Sequence, residues 1–139
     1  MNFNDIIGQK EVINSLVTGI MKDRVGHAYV FSGPKGIGKR TVADIFSVML
    51  LCKEPKPYGG CGQCIPCQMH ANGSNPDFYP IGTDEASIGV DEIRKLQSDI
   101  IIKPLYSSRK VYLITNAENM TVQAQNCLLK ILEEPPSYA

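Results

Sequence analysis

The sequence predicts an α/β fold: a parallel sheet flanked by helices, interrupted by a loop-rich insertion that calls for a metal staple. Three observations point there. Short β-rich runs alternate with amphipathic helical patterns, a glycine-rich loop joins one run to one helix, and four of the five cysteines crowd between Cys52 and Cys67.

Taken in order, Val12, Ile13, Leu16 and Ile20 fall on one face of a first helix spanning roughly Gln9 to Lys22. Tyr29-Val30-Phe31-Ser32 is short, β-rich and ended by glycine, so it predicts a buried strand. Val42, Ile45, Phe46, Met49 and Leu50 repeat at helical spacing over Lys39 to Leu51. Periodicity then stops. Residues 52–75 hold Pro55, Pro57, Gly59, Gly60, Gly62, Pro66 and Gly73, which predicts an insertion without a regular element. Phe78 to Ile81 predicts a second strand, and Val90, Ile93, Leu96 and Ile100 predict a helix whose positive N-terminus suits Asp91 and Glu92. Val111-Tyr112-Leu113-Ile114 predicts a third buried strand. Thr121 is the expected N-cap of a last helix bearing Ala124, Leu128 and Ile131, and Pro135-Pro136 ends it.

The 139 residues amount to one domain by the usual size prior, and 43% hydrophobic with 20% charged residues exclude a disordered or collagen-like chain. Basic and acidic side chains are equal at 14 each, which argues against a protein that lives by neutralising phosphates. The charge is nonetheless split: +3 over residues 1–70 and −3 over 71–139, which fits an anion site in the first half and equally a pair of solvated faces. The first residues carry no secretory signal pattern, and the longest apolar run, Val48 to Cys52, is far short of a membrane span. A soluble cytoplasmic protein is the expectation.

Gly33-Pro34-Lys35-Gly36-Ile37-Gly38-Lys39 matches G-x-x-x-x-G-K between a predicted strand and a predicted helix. Such a loop turns its N–H groups inward as an anion nest, and Lys39 adds a point charge for β- and γ-phosphate oxygens. The next residue departs from the pattern. Ser or Thr there would ligate Mg²⁺, but the chain has Arg40, a cation that can contact phosphate and cannot hold a metal. Thr41 lies about 100° further round the helix and is no simple substitute. A working ATPase of this class also places an acid at the end of a buried strand. After Ile114 this chain has Thr115 and Asn116, and Glu118 reads as a solvated charge. Phosphate binding with little or no intrinsic ATPase is expected, and no residue is assigned a catalytic role.

Cys61-x-x-Cys64-x-x-Cys67, with Cys52 nine positions earlier, offers four thiolates where few apolar residues can build a core. A closed, structural Zn²⁺ site is the reading these spacings favour, over a redox pair, a disulfide knot or an Fe–S cluster. His70 is near enough to compete as a ligand, but four sulfurs complete a tetrahedral shell. Cys127 reads as a small core residue of the last helix.

The same stretches resemble the clamp-loader AAA+ proteins of bacterial DNA polymerase III. The resemblance is carried by Asp5-Ile6-Ile7-Gly8-Gln9, His27-Ala28-Tyr29-Val30-Phe31-Ser32-Gly33-Pro34, the four-cysteine insertion, Ser87-Ile88-Gly89-Val90-Asp91-Glu92-Ile93-Arg94 and Gln125 to Pro136, and covers essentially the whole chain. Within the family the ATP-hydrolysing gamma/tau subunits carry Lys-Thr in the phosphate loop and Asp-Glu after the third strand. Lys39-Arg40, Thr115-Asn116 and Asn119-Met120-Thr121 are more similar to the delta-prime subunits. The resemblance implies a P-loop domain of AAA+ type and a stator-like role in a five-subunit ring. The implied partners are gamma/tau and delta subunits and, through them, the sliding clamp and primer-template DNA. It places Ile7, Gly8 and Gln9 near the adenine pocket if ATP binds. It puts the arginine finger, lid and C-terminal ring-forming domain after Ala139, so a truncated domain is expected. Two rival functions stand beside it: an active gamma/tau-type motor, opposed by Arg40 and Thr115, and a zinc-dependent DNA-binding module, opposed by the neutral charge and an insertion whose basic residues are Lys53 and Lys56.

Overall fold

The computed structural model describes residues 2–82 and 86–139. Its elements in chain order are α1 (Lys10–Met21), α2 (Lys39–Leu51), α3 (Ile65–Ala71), β1 (Phe78–Ile81), α4 (Val90–Ile100), β2 (Val111–Ile114) and α5 (Val122–Glu133), with 3₁₀ turns at Phe3–Asp5 and Ala117–Asn119. β1 and β2 pair in parallel with Phe78 opposite Val111 and Ile81 opposite Ile114. The fold class is therefore the α/β arrangement that the alternating pattern predicts.

Two apolar clusters hold the layers. Phe3, Leu16, Val42, Ile45, Phe46 and Met49 join α1 to α2, with Ile13, Val17, Ile20 and Phe31 packed around them. Ile81, Ile88, Ile93, Leu96, Ile100 and Ala124 join the sheet to α4 and α5, and Cys127, Leu128 and Ile131 pack against this group. Val12 departs from the predicted α1 face and stands exposed, with Val17 taking its place in the packing. Thr121 caps α5 as its sequence predicts, its hydroxyl accepting from the Ala124 N–H at 3.1 Å.

Tyr29–Ser32, predicted as a buried strand, makes no ladder, and Val30 is 91% exposed. Local bonding wins here. The Gly26 N–H donates to the Tyr29 hydroxyl at 2.8 Å, the Tyr29 ring meets Phe46 edge-on at 5.0 Å, and Phe31 turns onto the first cluster. A four-residue run becomes a strand only beside a neighbour that takes its hydrogen bonds, and β2 carries its ladder with β1. The insertion departs in the other direction: it contains α3, a helix the proline and glycine content conceals. Pro66 sits in the first turn of that helix, where a missing N–H breaks no bond.

Asp77, 2% exposed, ties the insertion to the sheet. Its carboxylate accepts backbone N–H groups from Leu105, Tyr106 and Ser107 at 2.7, 2.7 and 2.8 Å. Its carbonyl accepts from the Val111 N–H at the start of β2, and its own N–H donates to Asn75 Oδ1. Asn75 in turn donates to the Pro66 carbonyl in α3 at 3.1 Å, and Ser107 donates to the Leu51 carbonyl at the end of α2 at 2.8 Å. Replacing Asp77 with Asn puts an NH₂ where a carboxylate oxygen accepts N–H groups. Asp77→Asn should therefore cost about 3 kcal/mol in denaturant unfolding, since buried donors lose a charged acceptor.

Candidate functional site

Cys52 is the C-cap of α2 and Cys64 the N-cap of α3, so the two helix ends bring their sulfurs together. The Sγ atoms of Cys52, Cys61, Cys64 and Cys67 all lie within 4.8 Å of one another, and those of Cys52 and Cys64 are 3.8 Å apart. All four are free thiols, since a disulfide needs about 2.05 Å. Four sulfurs about 2.3 Å from a tetrahedral metal lie about 3.8 Å from each other, so the cage has the size of a tetrathiolate metal site. Backbone donors already face the sulfurs. Cys52 Sγ accepts from the Glu54 and Cys61 N–H groups at 3.4 and 3.3 Å, and Cys61 Sγ from those of Gln63 and Cys64 at 3.4 and 3.3 Å. The Gln63 and Cys64 donors pull the Cys61 thiol down to about 6, whereas burial pushes Cys52 and Cys67 up. Gly60 completes the cage by its lack of a side chain: a Cβ there would lie 2.6 Å from Val48 Cγ1 and 2.9 Å from Cys67 Sγ. The residues present fit a structural metal, with every position taken by sulfur.

The glycine-rich loop, Gly33 to Gly38, runs directly into α2. Gly38 is the N-cap of α2 with φ +99°, a conformation that favours glycine, and the Val42 N–H donates to its carbonyl at 3.0 Å. Lys39 folds back over the loop, its Nζ donating to the Gly33 carbonyl at 2.7 Å. A lysine aimed across the loop's mouth onto a neutral carbonyl is placed to exchange that bond for a phosphate oxygen. Arg40 is exposed at the first turn of α2, with Thr41 half-buried beside it. Lys35 and Ile37 are exposed on the loop, and Pro34 accepts the Ile37 N–H at 3.4 Å. Ile7, Gly8 and Gln9 lead into α1. Ile7 is fully exposed and Gln9, at φ 59°, is the N-cap.

Beyond β2, the Thr115 N–H bonds the Ile81 carbonyl, and Asn116 adopts a left-handed φ of 54° before the turn Ala117–Asn119. The strand end thus presents a hydroxyl and a carboxamide, and Glu118 stands exposed on the turn.

His70, the rival metal ligand that the sequence offers, points elsewhere: its Nε2 lies 3.2 Å from Asp44 Oδ1 on α2, and its ring meets Phe78 at 4.6 Å. That hydrogen bond is the main influence holding the Asp44 carboxyl below its ordinary range. Burial opposes it, while the charges of His70 and Arg40 assist. Asp44 has no place in the site as read from sequence alone. Its signal is the spacing Arg40–Asp44, i and i+4 on one helix face.

The family model described as "DNA polymerase III, delta subunit" matches residues 8–139. The chain is 44% identical to DNA polymerase III subunit delta' of Pseudomonas aeruginosa over 111 residues, 78% of this chain and 34% of that protein. It is 38% identical to DNA polymerase III subunit delta' of Bacillus subtilis over 130 residues, 91% and 38% of the two chains. It is also 37% identical to the tau subunit of Bacillus subtilis over 137 residues, 98% of this chain and 24% of that one. The chain thus spans about a quarter to two-fifths of the length of these curated relatives.

The cage predicts its own stoichiometry. The purified chain should carry one thiophilic divalent metal, measured by elemental analysis. Its removal with a chelator should raise amide exchange through residues 52–75 while α5 keeps its protection. Cys61→Ser should lower metal affinity at least about tenfold, by the rule that ligand-shell changes cost that much or more.

Proposed function

The chain belongs to the DNA polymerase III delta-subunit family, and from that premise we propose that it is a non-motor, stator-like subunit of the clamp loader, helping to place the sliding clamp on primed DNA. One observation carries the non-motor reading: Arg40 stands where a magnesium-ligating hydroxyl belongs, and Thr115-Asn116 where the partner acid belongs. The glycine turn, the N-terminus of α2 and Lys39 still make an anion nest, so the site is read as one that binds phosphate without seating magnesium. ATP is its proposed ligand, with Ile7, Gly8 and Gln9 beside the base. Residues 1–139 are read as the P-loop part of an AAA+ unit with residues 52–75 as its metal module.

We assign structural zinc to the four cysteines, because an all-sulfur tetrahedral cage suits it and leaves no open coordination position for water. The proposed partners are gamma/tau and delta subunits, with clamp and primer-template DNA reached through the assembly. A cytoplasmic setting agrees with the reduced cysteines, and among the described residues no helix is long and apolar enough to cross a membrane. The second reading, a gamma/tau-type motor, is favoured by the tau relative, whose alignment covers 98% of the chain. Arg40 opposes it.

The two readings separate on turnover. The zinc-loaded full chain should hydrolyse ATP below about 1 s⁻¹, the low end for ordinary enzymes, with or without magnesium. Turnover above that rate supports the motor reading instead. Arg40→Thr combined with Thr115→Asp should make ATP binding magnesium-dependent by about tenfold, since each change restores an oxygen that a hard cation needs.

A further inference from the structure

One contact in the phosphate-loop helix is explained neither by the fold nor by the nucleotide reading. Asp44 sits one turn after Arg40, so their side chains are neighbours on one face of α2, with Cβ atoms about 5–6 Å apart. A carboxylate so close to the guanidinium is a built-in rival to any phosphate that Arg40 would grip. The Asp44 side chain is 54% exposed, so solvent does not wall it off from either neighbour. In the structure it turns to His70, whose Nε2 lies 3.2 Å away. His70 is itself fixed: its side chain is 12% exposed, it stacks edge-on against Phe78 of β1, and it stands on α3, the helix that carries Cys67.

We propose that His70 is a positioning residue for the phosphate loop: by holding Asp44 from α3, it keeps that carboxylate from competing with phosphate for Arg40. The proposal rests on the reading of Gly33 to Arg40 as a phosphate site and adds its regulation. It gives the cysteine module a second role besides its own folding, because the metal cage sets where α3, and hence His70, stands against α2. Electrostatics agree, since both His70 and Arg40 stabilise the ionised Asp44.

A double-mutant cycle tests this. Binding of inorganic tripolyphosphate and of ATP is measured on the zinc-loaded full chain without magnesium. His70→Leu, which frees Asp44 to face Arg40, should weaken both about two- to fivefold, the range that exposed charge pairs span. His70→Gln, whose amide can still donate to Asp44, should restore most of the loss. Asp44→Asn should tighten binding about twofold, and adding His70→Leu to it should change nothing further. An equal loss from His70→Leu in both backgrounds, or none in the wild type, overturns the proposal and leaves the phosphate-loop reading standing. A wild-type chain that fails to bind tripolyphosphate overturns that reading and this proposal together.

Discussion

A buried carboxylate held by backbone N–H groups organises the middle of this molecule. Asp77 is satisfied by three backbone N–H groups from one short loop, and its neighbours Asn75 and Ser107 extend the bonding to α3 and to the end of α2. Removing a charge from water is costly, and such an ion persists only where its lone pairs are filled by donors fixed in place. The consequence is geometric. The loop 105–107, the start of β2, the cysteine module and α2 all meet at one residue, so none of them can shift without stranding a charge. Nearby, Lys110, 5% exposed, is held by Asp99 at 2.8 Å and by the carbonyls of Asp99 and Ile102. The second apolar cluster is thus bordered by two filled polar networks, which fix the register that a four-residue parallel ladder alone would hold weakly.

The other organising element is α2. Its N-terminus closes the glycine-rich loop Gly33 to Gly38 and its C-cap is Cys52, so thirteen helical residues, about 20 Å, join that loop to the four-cysteine cluster. The apolar residues Val42, Ile45, Phe46 and Met49 bury one face of that helix, while Asp44 lies outside the buried set. Under the proposed function, a rigid bar of this kind lets the cysteine module bear on the loop that would hold nucleotide. Under the proposed function it also explains why the cysteine insertion follows this helix directly.

Much of this was legible in the sequence, and the exceptions share a cause. Helix α2 has the predicted bounds because its periodicity and flanking glycine agree, and β1 and β2 stand out because turn residues bracket them. The cysteine cage is readable from spacing alone, since sulfur ligands repeat in C-x-x-C turns. Tyr29–Ser32 misled because strand propensity describes a residue's fit to a sheet and says nothing about whether a neighbour is present to bond. Helix α3 escapes a pattern in which proline marks a break, because Pro66 opens the helix and does not interrupt it. Asp77 and the Asp44–His70 contact were invisible for a third reason: their partners lie 26 or more positions away in the chain, and no local pattern marks a long-range hydrogen bond.

Under the proposed function, the loop before α2 grips phosphate without the oxygens that would seat magnesium. The most direct measurement is a calorimetric titration of ATP into the zinc-loaded full chain, with and without magnesium. A phosphate site without a magnesium seat gives the same dissociation constant in both, within about twofold. Binding that tightens about tenfold or more when magnesium is added would contradict it, because some group on this chain would then be holding the cation.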